Sequence, residues 1–279
     1  MSPADPASIL YRSHVAPKVP VTYQIWISLI ATMDQNAEIG DIKEIVERDP
    51  GLVIKLLAVA NSAYFGQSTD EGIGSLDEAL MRLGSNEIIR LVGMLAFQDT
   101  TAEGLPLYGM GQKELTQLSV YTAMLMAHFA TNENCRLTPG ECYTLGLIRS
   151  LGHWFIQRAL REQNISVRPY LGSLMEAHLW EEDLLRINHA EFAVNTLRQY
   201  RMPGKLLDPL AHYLRPHLAE NTFCAHLLLS CTEQALRDFL PARLPAKSEL
   251  EPDWYLHYTS QEDFDEFRTK SLKVIALLI

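Results

Sequence analysis

The chain has 279 residues, 47% of them hydrophobic, and a formal net charge of −10. That is enough apolar material for a proper core in one large domain or two modest lobes. The acidic residues are spread along the chain, which gives no electrostatic footprint for nucleic acid or an anionic membrane surface. With no N-terminal signal region and no apolar run near the roughly 20 residues that span a bilayer, a cytoplasmic protein is expected.

The first residues, 1–16, read as a loosely held arm with a short helix near residues 9–14. Helical periodicity then begins near Val21, giving helices over 23–33 and 39–48. Asp49 followed by Pro50 is an N-cap with Pro at the first helical position, starting a helix that runs to Ala60. It stops at Asn61–Ser62, before the aromatic pair Tyr64–Phe65 and Gly66. Ser75 and Glu78 form a capping box for a helix over 76–83, and an apolar helix over 86–97 follows Gly84. Three glycines and a proline in 100–111 mark the expected boundary between an N-terminal lobe, 17–110, and a C-terminal lobe, 111–279. In the second lobe helices are expected over 112–131, 137–162, 170–186, 188–200, 205–214, 222–240 and 262–278, with Asn188 and Asn221 as caps and 241–262 as loop. No segment shows the period-two alternation of a strand, so the fold class is all-α.

The stretch 137–162 is expected to be one long central helix. Thr138, Pro139 and Glu141 specify its start as cap, first-turn proline and capping-box partner. Apolar residues cover most of its circumference. Arg149, His153 and Gln157 recur every four residues, with Ser150 beside them, as one polar stripe. Gly146 and Gly152 bracket Arg149–Ser150, and each costs about 1 kcal/mol against Ala inside a helix. Their presence predicts close approach of other backbone at this turn.

No H-E-x-x-H, Walker loop, G-x-S-x-G or G-x-G-x-x-G occurs. The four cysteines lack C-x-x-C spacing and read as small buried apolar residues; Cys224 and Cys231 would sit about 10 Å apart on one helix, too far for a disulfide. His178 and Glu182 read as a solvated i, i+4 pair, and His128 as a hydrogen-bonded histidine at the core edge. His153 and His189 could share one site, but without a placed carboxylate they make a weak metal centre, and no metal or cofactor is expected.

Together these segments resemble the HDOD family, the HD-related output domain of bacterial signalling. The densest match is DPGLVIKLLAVANSAYFG, Asp49 to Gly66, followed by IGSLDEALMRLGSNEIIRLV with Ala79 to Gly84 in family order. Gly146–Leu147–Ile148, Leu151–Gly152, Asn188–His189–Ala190–Glu191 and Tyr200 to Pro203 extend the resemblance over about residues 17–240. It implies an HD-domain-like helical bundle. HDOD domains resemble metal-dependent phosphohydrolases whose metal sits on an adjacent His–Asp pair, and here those positions hold Arg149 and Ser150. Arg offers no lone pair and a Ser hydroxyl is a poor substitute for a carboxylate. The upstream histidine falls near Leu118, just before Ser119, and a His-His-x-Pro falls on Tyr213–Leu214–Arg215–Pro216. His189 alone matches.

The expectation is therefore a non-catalytic signalling output or adaptor domain. Arg149, Ser150, His153 and His189 form a degenerate ligand-binding cluster in which Arg149 either pairs with a buried acid or holds an anion. Asn61, Ser62, Tyr64 and Phe65 offer a partner-binding corner, unless the two rings cover the lobe seam. The resemblance implies response-regulator or cyclic-nucleotide pathway partners and leaves a homodimer open. The alternative is a metal-dependent phosphohydrolase acting on a nucleotide or cyclic dinucleotide.

Overall fold

The computed structural model describes residues 17–33, 38–61, 72–131, 134–247, 251 and 253–278. The expected short helix at 9–14 and the corner residues Ser62, Tyr64 and Phe65 lie outside them. The described residues are all-α, with a single isolated antiparallel bridge between Leu105 and Met110. The helices, in chain order, are α1 (Val21–Met33), α2 (Ile39–Val46), α3 (Pro50–Ala60), α4 (Leu76–Leu83) and α5 (Ser85–Thr100). A 3-10 turn at Pro106–Tyr108 leads to α6 (Gln112–Phe129), α7 (Pro139–Ile148), α8 (Leu151–Glu162), α9 (Ala177–Leu185) and α10 (His189–Gln199). The chain ends through α11 (Gly204–His212), α12 (Thr222–Phe239) and α13 (Gln261–Leu278).

Local chemistry sets the helix starts, although the expected capping box at Ser75 closes one way only, because the Glu78 carboxylate accepts from the Gly74 N–H instead of from Ser75. Asp49 Oδ1 accepts from the Leu52 N–H, Ser75 Oγ from Glu78, Asn188 Oδ1 from Glu191 and Asn221 Oδ1 from Cys224. Each bond satisfies a backbone donor left over in the first turn. Thr138 and Glu141 close a reciprocal capping box at α7.

Two expected helices differ in extent. Residues 170–186 are helical only from Ala177, after a loop in which the Tyr170 N–H donates to Leu107 O. The stretch 137–162 is two helices rather than one rod, interrupted at Arg149–Ser150. Both residues keep right-handed helical dihedrals, so the interruption involves no excursion of the backbone. Within 241–262, 3-10 turns form at Pro241–Arg243 and Trp254–His257.

α7 is the centre of the bundle. Every side chain from Glu141 to Ile148 is buried, and the helix packs on α5, α6, α11 and α12. The core runs across the expected lobe boundary through the α5–α7 contact, from Val19 to Ile275. Gln157, on α8, secures the intervening loop by accepting from Leu107 N–H and donating to Gly104 O. Across the chain, the Tyr200 hydroxyl donates to Pro17 O.

The two glycines of the central stretch do what their cost implied. A Cβ at Gly146 would lie 2.6 Å from Ala123 Cα on α6, and one at Gly152 would lie 2.1 Å from the His189 carbonyl oxygen at the start of α10. Neither obstacle is a flexible side chain. Gly152→Ala is expected to force α8 and α10 apart and lower stability by about 3 kcal/mol or more, read as the urea midpoint. The exposed control Gly40→Ala, whose Cβ would meet nothing within 4 Å, is expected to leave that midpoint nearly unchanged.

Candidate functional site

Three helices and a turn deliver the site. His153 comes from the first turn of α8, Glu181 from the middle of α9 and His189 from the first position of α10; Tyr108 ends the 3-10 turn held by Gln157. The backbone contact at Gly152 brings α10 close enough for the two imidazoles to stack, with ring centroids 3.8 Å apart and planes 20° from parallel. Tyr108 meets His153 edge-on at 4.7 Å.

Glu181, with no exposed surface, is the carboxylate that binds the set together. Oε2 accepts from both the His189 backbone N–H and its Nδ1, each at 2.7 Å, and Oε1 accepts from the Tyr108 hydroxyl at 2.7 Å. A carboxylate that accepts from Nδ1 places the imidazole proton there, leaving Nε2 to accept from the Tyr213 hydroxyl, which lies in close contact. Both His189 nitrogens are thereby engaged. Burial, reinforced by Glu181, pushes the Tyr108 hydroxyl well above its ordinary range, and burial pushes Tyr213 up to about 12, so both stay protonated donors.

Arg149 and Ser150 occupy the break between α7 and α8. Arg149 is only 3% exposed; its Nη2 donates to Ser150 Oγ at 2.8 Å, and Ser150 Oγ also accepts from Ser119 Oγ at 2.7 Å. Among the described residues no carboxylate lies within ion-pair distance of Arg149, so the acidic partner weighed from the sequence is replaced by hydroxyls. Arg149 Nε has no hydrogen-bond partner, nor has either ring nitrogen of His153. Burial, with the guanidinium charges of Arg149 and Arg243, holds the His153 imidazole well below 6.5, so it is neutral near pH 7. Its Nε2 lies 4.0 Å from Glu181 Oε1.

The structure brings Arg149, Ser150, His153 and His189 together in one buried group. It adds Glu181, Tyr108, Tyr213 and Ser119. Tyr213 and Ser119 carry a sequence signal, since they stand at or beside the expected family histidines; Glu181 is concealed in the tandem Glu181–Glu182, whose second residue is the one spaced i, i+4 from His178. Asn61 is not part of this group. Its side chain donates to Leu57 O and Ile73 O and accepts from the Ile73 N–H, tying the start of α4 to the end of α3. His128 stacks on Phe267 at 4.1 Å rather than forming the expected core-edge hydrogen bond. His178 Nδ1 lies 2.9 Å from Met175 O, so its first partner is backbone rather than Glu182.

His153, Glu181 and His189 each offer a ligand atom, and those atoms lie within 4.8 Å of one another. They do not fit the divalent metal of phosphohydrolases. Nearly parallel rings carry their lone pairs side by side instead of converging on an ion about 2 Å away. Both His189 nitrogens and both Glu181 oxygens already have protein partners, and the buried guanidinium of Arg149 opposes a second cation.

Unfolded His153 titrates near 6.5, whereas the folded side chain resists protonation. Below about pH 6.5 the unfolded chain takes up the extra proton, so stability falls with falling pH by up to about 1.4 kcal/mol per unit for this group. Burial lowers His128 and His178 in the same direction. Urea midpoints measured at pH 7.5 and 5.5 should therefore drop on acidification, and His153→Gln should show the shallower dependence.

Comparison with known proteins agrees with this architecture. A structure from Marinobacter aquaeolei VT8, provisionally named a signal transduction protein, superposes with a TM-score of 0.71 at 20% identity over 97% of this chain and 63% of that one. One from Shewanella amazonensis SB2B, provisionally named a phosphohydrolase, gives 0.68 at 17% identity over 99% and 98%. An HDOD domain protein of unknown function from Geobacter sulfurreducens gives 0.68 at 17% identity over 94% and 93%. At these identities the likeness is one of fold, an HD-like helical bundle. The uncharacterized protein YuxH of Bacillus subtilis (strain 168) is 27% identical over 146 residues, 52% of this chain and about a third (34%) of that protein's length. No helix among the described residues is long and apolar enough to cross a membrane. The HDOD domain family matches residues 16–245, and the chain belongs to it.

Proposed function

We propose that this HDOD-family chain works without catalysis, as an output or adaptor domain that binds other signalling proteins. Response-regulator and cyclic-nucleotide pathway proteins are the partners that such a role suits. The observation that carries the reading is Arg149: a permanently charged side chain stands, buried, where a phosphohydrolase would keep half of its metal-binding pair. The other expected ligand positions offer only the hydroxyls of Ser150 and Tyr213 or the side chains of Leu118 and Leu214, and those hydroxyls are engaged, Ser150 with Ser119 and Arg149 and Tyr213 with His189. Hydrolysis would require an ion to polarise phosphate and acidify water. It would also require access, and Arg149, Ser150, His153 and His189 are each 3% exposed or less.

Purified protein supplied with Mn2+ or Mg2+ is expected to hydrolyse neither bis(p-nitrophenyl) phosphate nor a cyclic dinucleotide faster than Glu181→Gln does. Turnover that Glu181→Gln and His189→Gln both abolish, with manganese, iron or nickel bound to the wild type but not to those variants, would make the chain a phosphohydrolase. Calorimetry with the same cyclic dinucleotide tests the ligand-binding form of the role; binding that disappears in Arg149→Ala would make Arg149 the anion holder.

A further inference from the structure

Outside this site, three of the four cysteines converge from distant parts of the chain. Cys135 lies in the loop before α7, Cys142 in the first turns of α7 and Cys224 in the first turn of α12. Cys135 Sγ is 3.5 Å from Cys142 Sγ and 3.3 Å from Cys224 Sγ, and all three sulfurs fall within 4.8 Å of one another. Cys142 and Cys224 are buried and Cys135 is half-buried, so the group has one side toward solvent. Cys231, two turns along α12 from Cys224, is not among them. The reading of the cysteines as independent apolar fillers therefore fails for these three.

We propose that Cys135, Cys142 and Cys224 form a three-thiolate site for a thiophilic d10 metal ion, Zn2+ or Cu+. With metal–sulfur bonds of about 2.3 Å, sulfurs sharing one ion stand about 3.8–4.0 Å apart. The two short separations here need to open by only about half an ångström, whereas a disulfide at about 2.05 Å would require one pair to close by more than an ångström. A disulfide would also use two sulfurs and strand the third; one ion uses all three.

The surroundings favour thiolates. α7 and α12 both begin at the cluster, and the partial positive charge of a helix N-terminus stabilises a nearby anionic sulfur. Glu141 is no competitor for the ion, because its carboxylate accepts from the Thr138 N–H and pairs with Lys205. On binding, each thiol that ligates releases its proton to solvent, and the half-exposed Cys135 side is the route of entry. Thiolates select soft ions, which separates this site from hard-metal phosphate chemistry. A fourth position on Zn2+ would be left to water; Cu+ would be complete with three sulfurs.

The test uses the whole chain, purified with a phosphine reductant, stripped with chelator and titrated separately with Zn2+, with Cu+ and with Co2+ as a chromophoric substitute. One ion per chain is expected, Co2+ giving a thiolate-to-metal charge-transfer band. Cys135→Ser, Cys142→Ser and Cys224→Ser should each weaken binding roughly tenfold or more, with Cys231→Ser unchanged. Since a buried Ser can impair folding, a wild-type measurement stands beside these: Zn2+ or Cu+ should slow N-ethylmaleimide modification of Cys135 roughly tenfold, and chelator should restore it. The ion that protects at the lower concentration is the one assigned. Absence of the charge-transfer band together with unprotected Cys135, or recovery of two of the three cysteines as a disulfide while Zn2+ is present, would overturn the site. This inference shares no residue with the His189 cluster, so loss of metal in the cysteine variants and loss of metal in His189→Gln distinguish the two outcomes.

Discussion

A single backbone contact governs the geometry of the candidate site. Where α8 passes α10, the side chain of residue 152 is absent, and the His189 carbonyl lies where a Cβ would stand. That spacing stacks His153 on His189 and presents the first N–H of α10 to the Glu181 carboxylate. An anionic side chain at a helix N-terminus is favoured by the unpaired donors there, so Glu181 both anchors α10 and orients its first residue. Gly146 makes the matching approach on the opposite helix, α6. Arg149 and Ser150 lie in the chain between these two close contacts.

The charge enclosed at that point explains the state of its neighbours. A buried guanidinium is costly unless its donors are met, and here Ser150 meets one of them while Nε goes without. Arg149 thus acts as a fixed positive centre in a region of low dielectric. It adds to burial in keeping His153 neutral, and it limits the rise that burial imposes on Tyr213. A metal ion can leave or be exchanged; a guanidinium is part of the chain. Its positive charge is therefore a fixed feature of this interior.

What the sequence disclosed was largely what neighbouring residues decide. Caps such as Asp49, Ser75, Thr138 and Asn221 act on N–H groups three residues ahead, so their spacing is sufficient to find them. The glycine pair was legible because its cost within a helix has to be offset by contact elsewhere. The break at Arg149–Ser150 was not, since both residues keep helical dihedrals and nothing in their side chains marks the interruption. Glu181 escaped for another reason: which member of a tandem acidic pair points inward depends on how α9 docks, a tertiary matter. The meeting of Cys135 with Cys224, 89 positions apart, is likewise set by the packing of α12 beside α7.

The hydroxyl network has a consequence for how such a sequence can change. Ser119 bonds Ser150, Ser150 bonds Arg149, and Tyr213 bonds His189, which in turn is held by Glu181. Replacing any one of these side chains with a group that cannot make the same bond leaves its neighbour with an unmet donor or an unscreened charge in the interior, a loss of about 1–3 kcal/mol for each neutral group. A carboxylate at 150 beside the guanidinium would lock into an ion pair instead of binding metal. The four contacts are thereby coupled: a change at one of them is felt at the next, so substitutions within this network act together rather than additively.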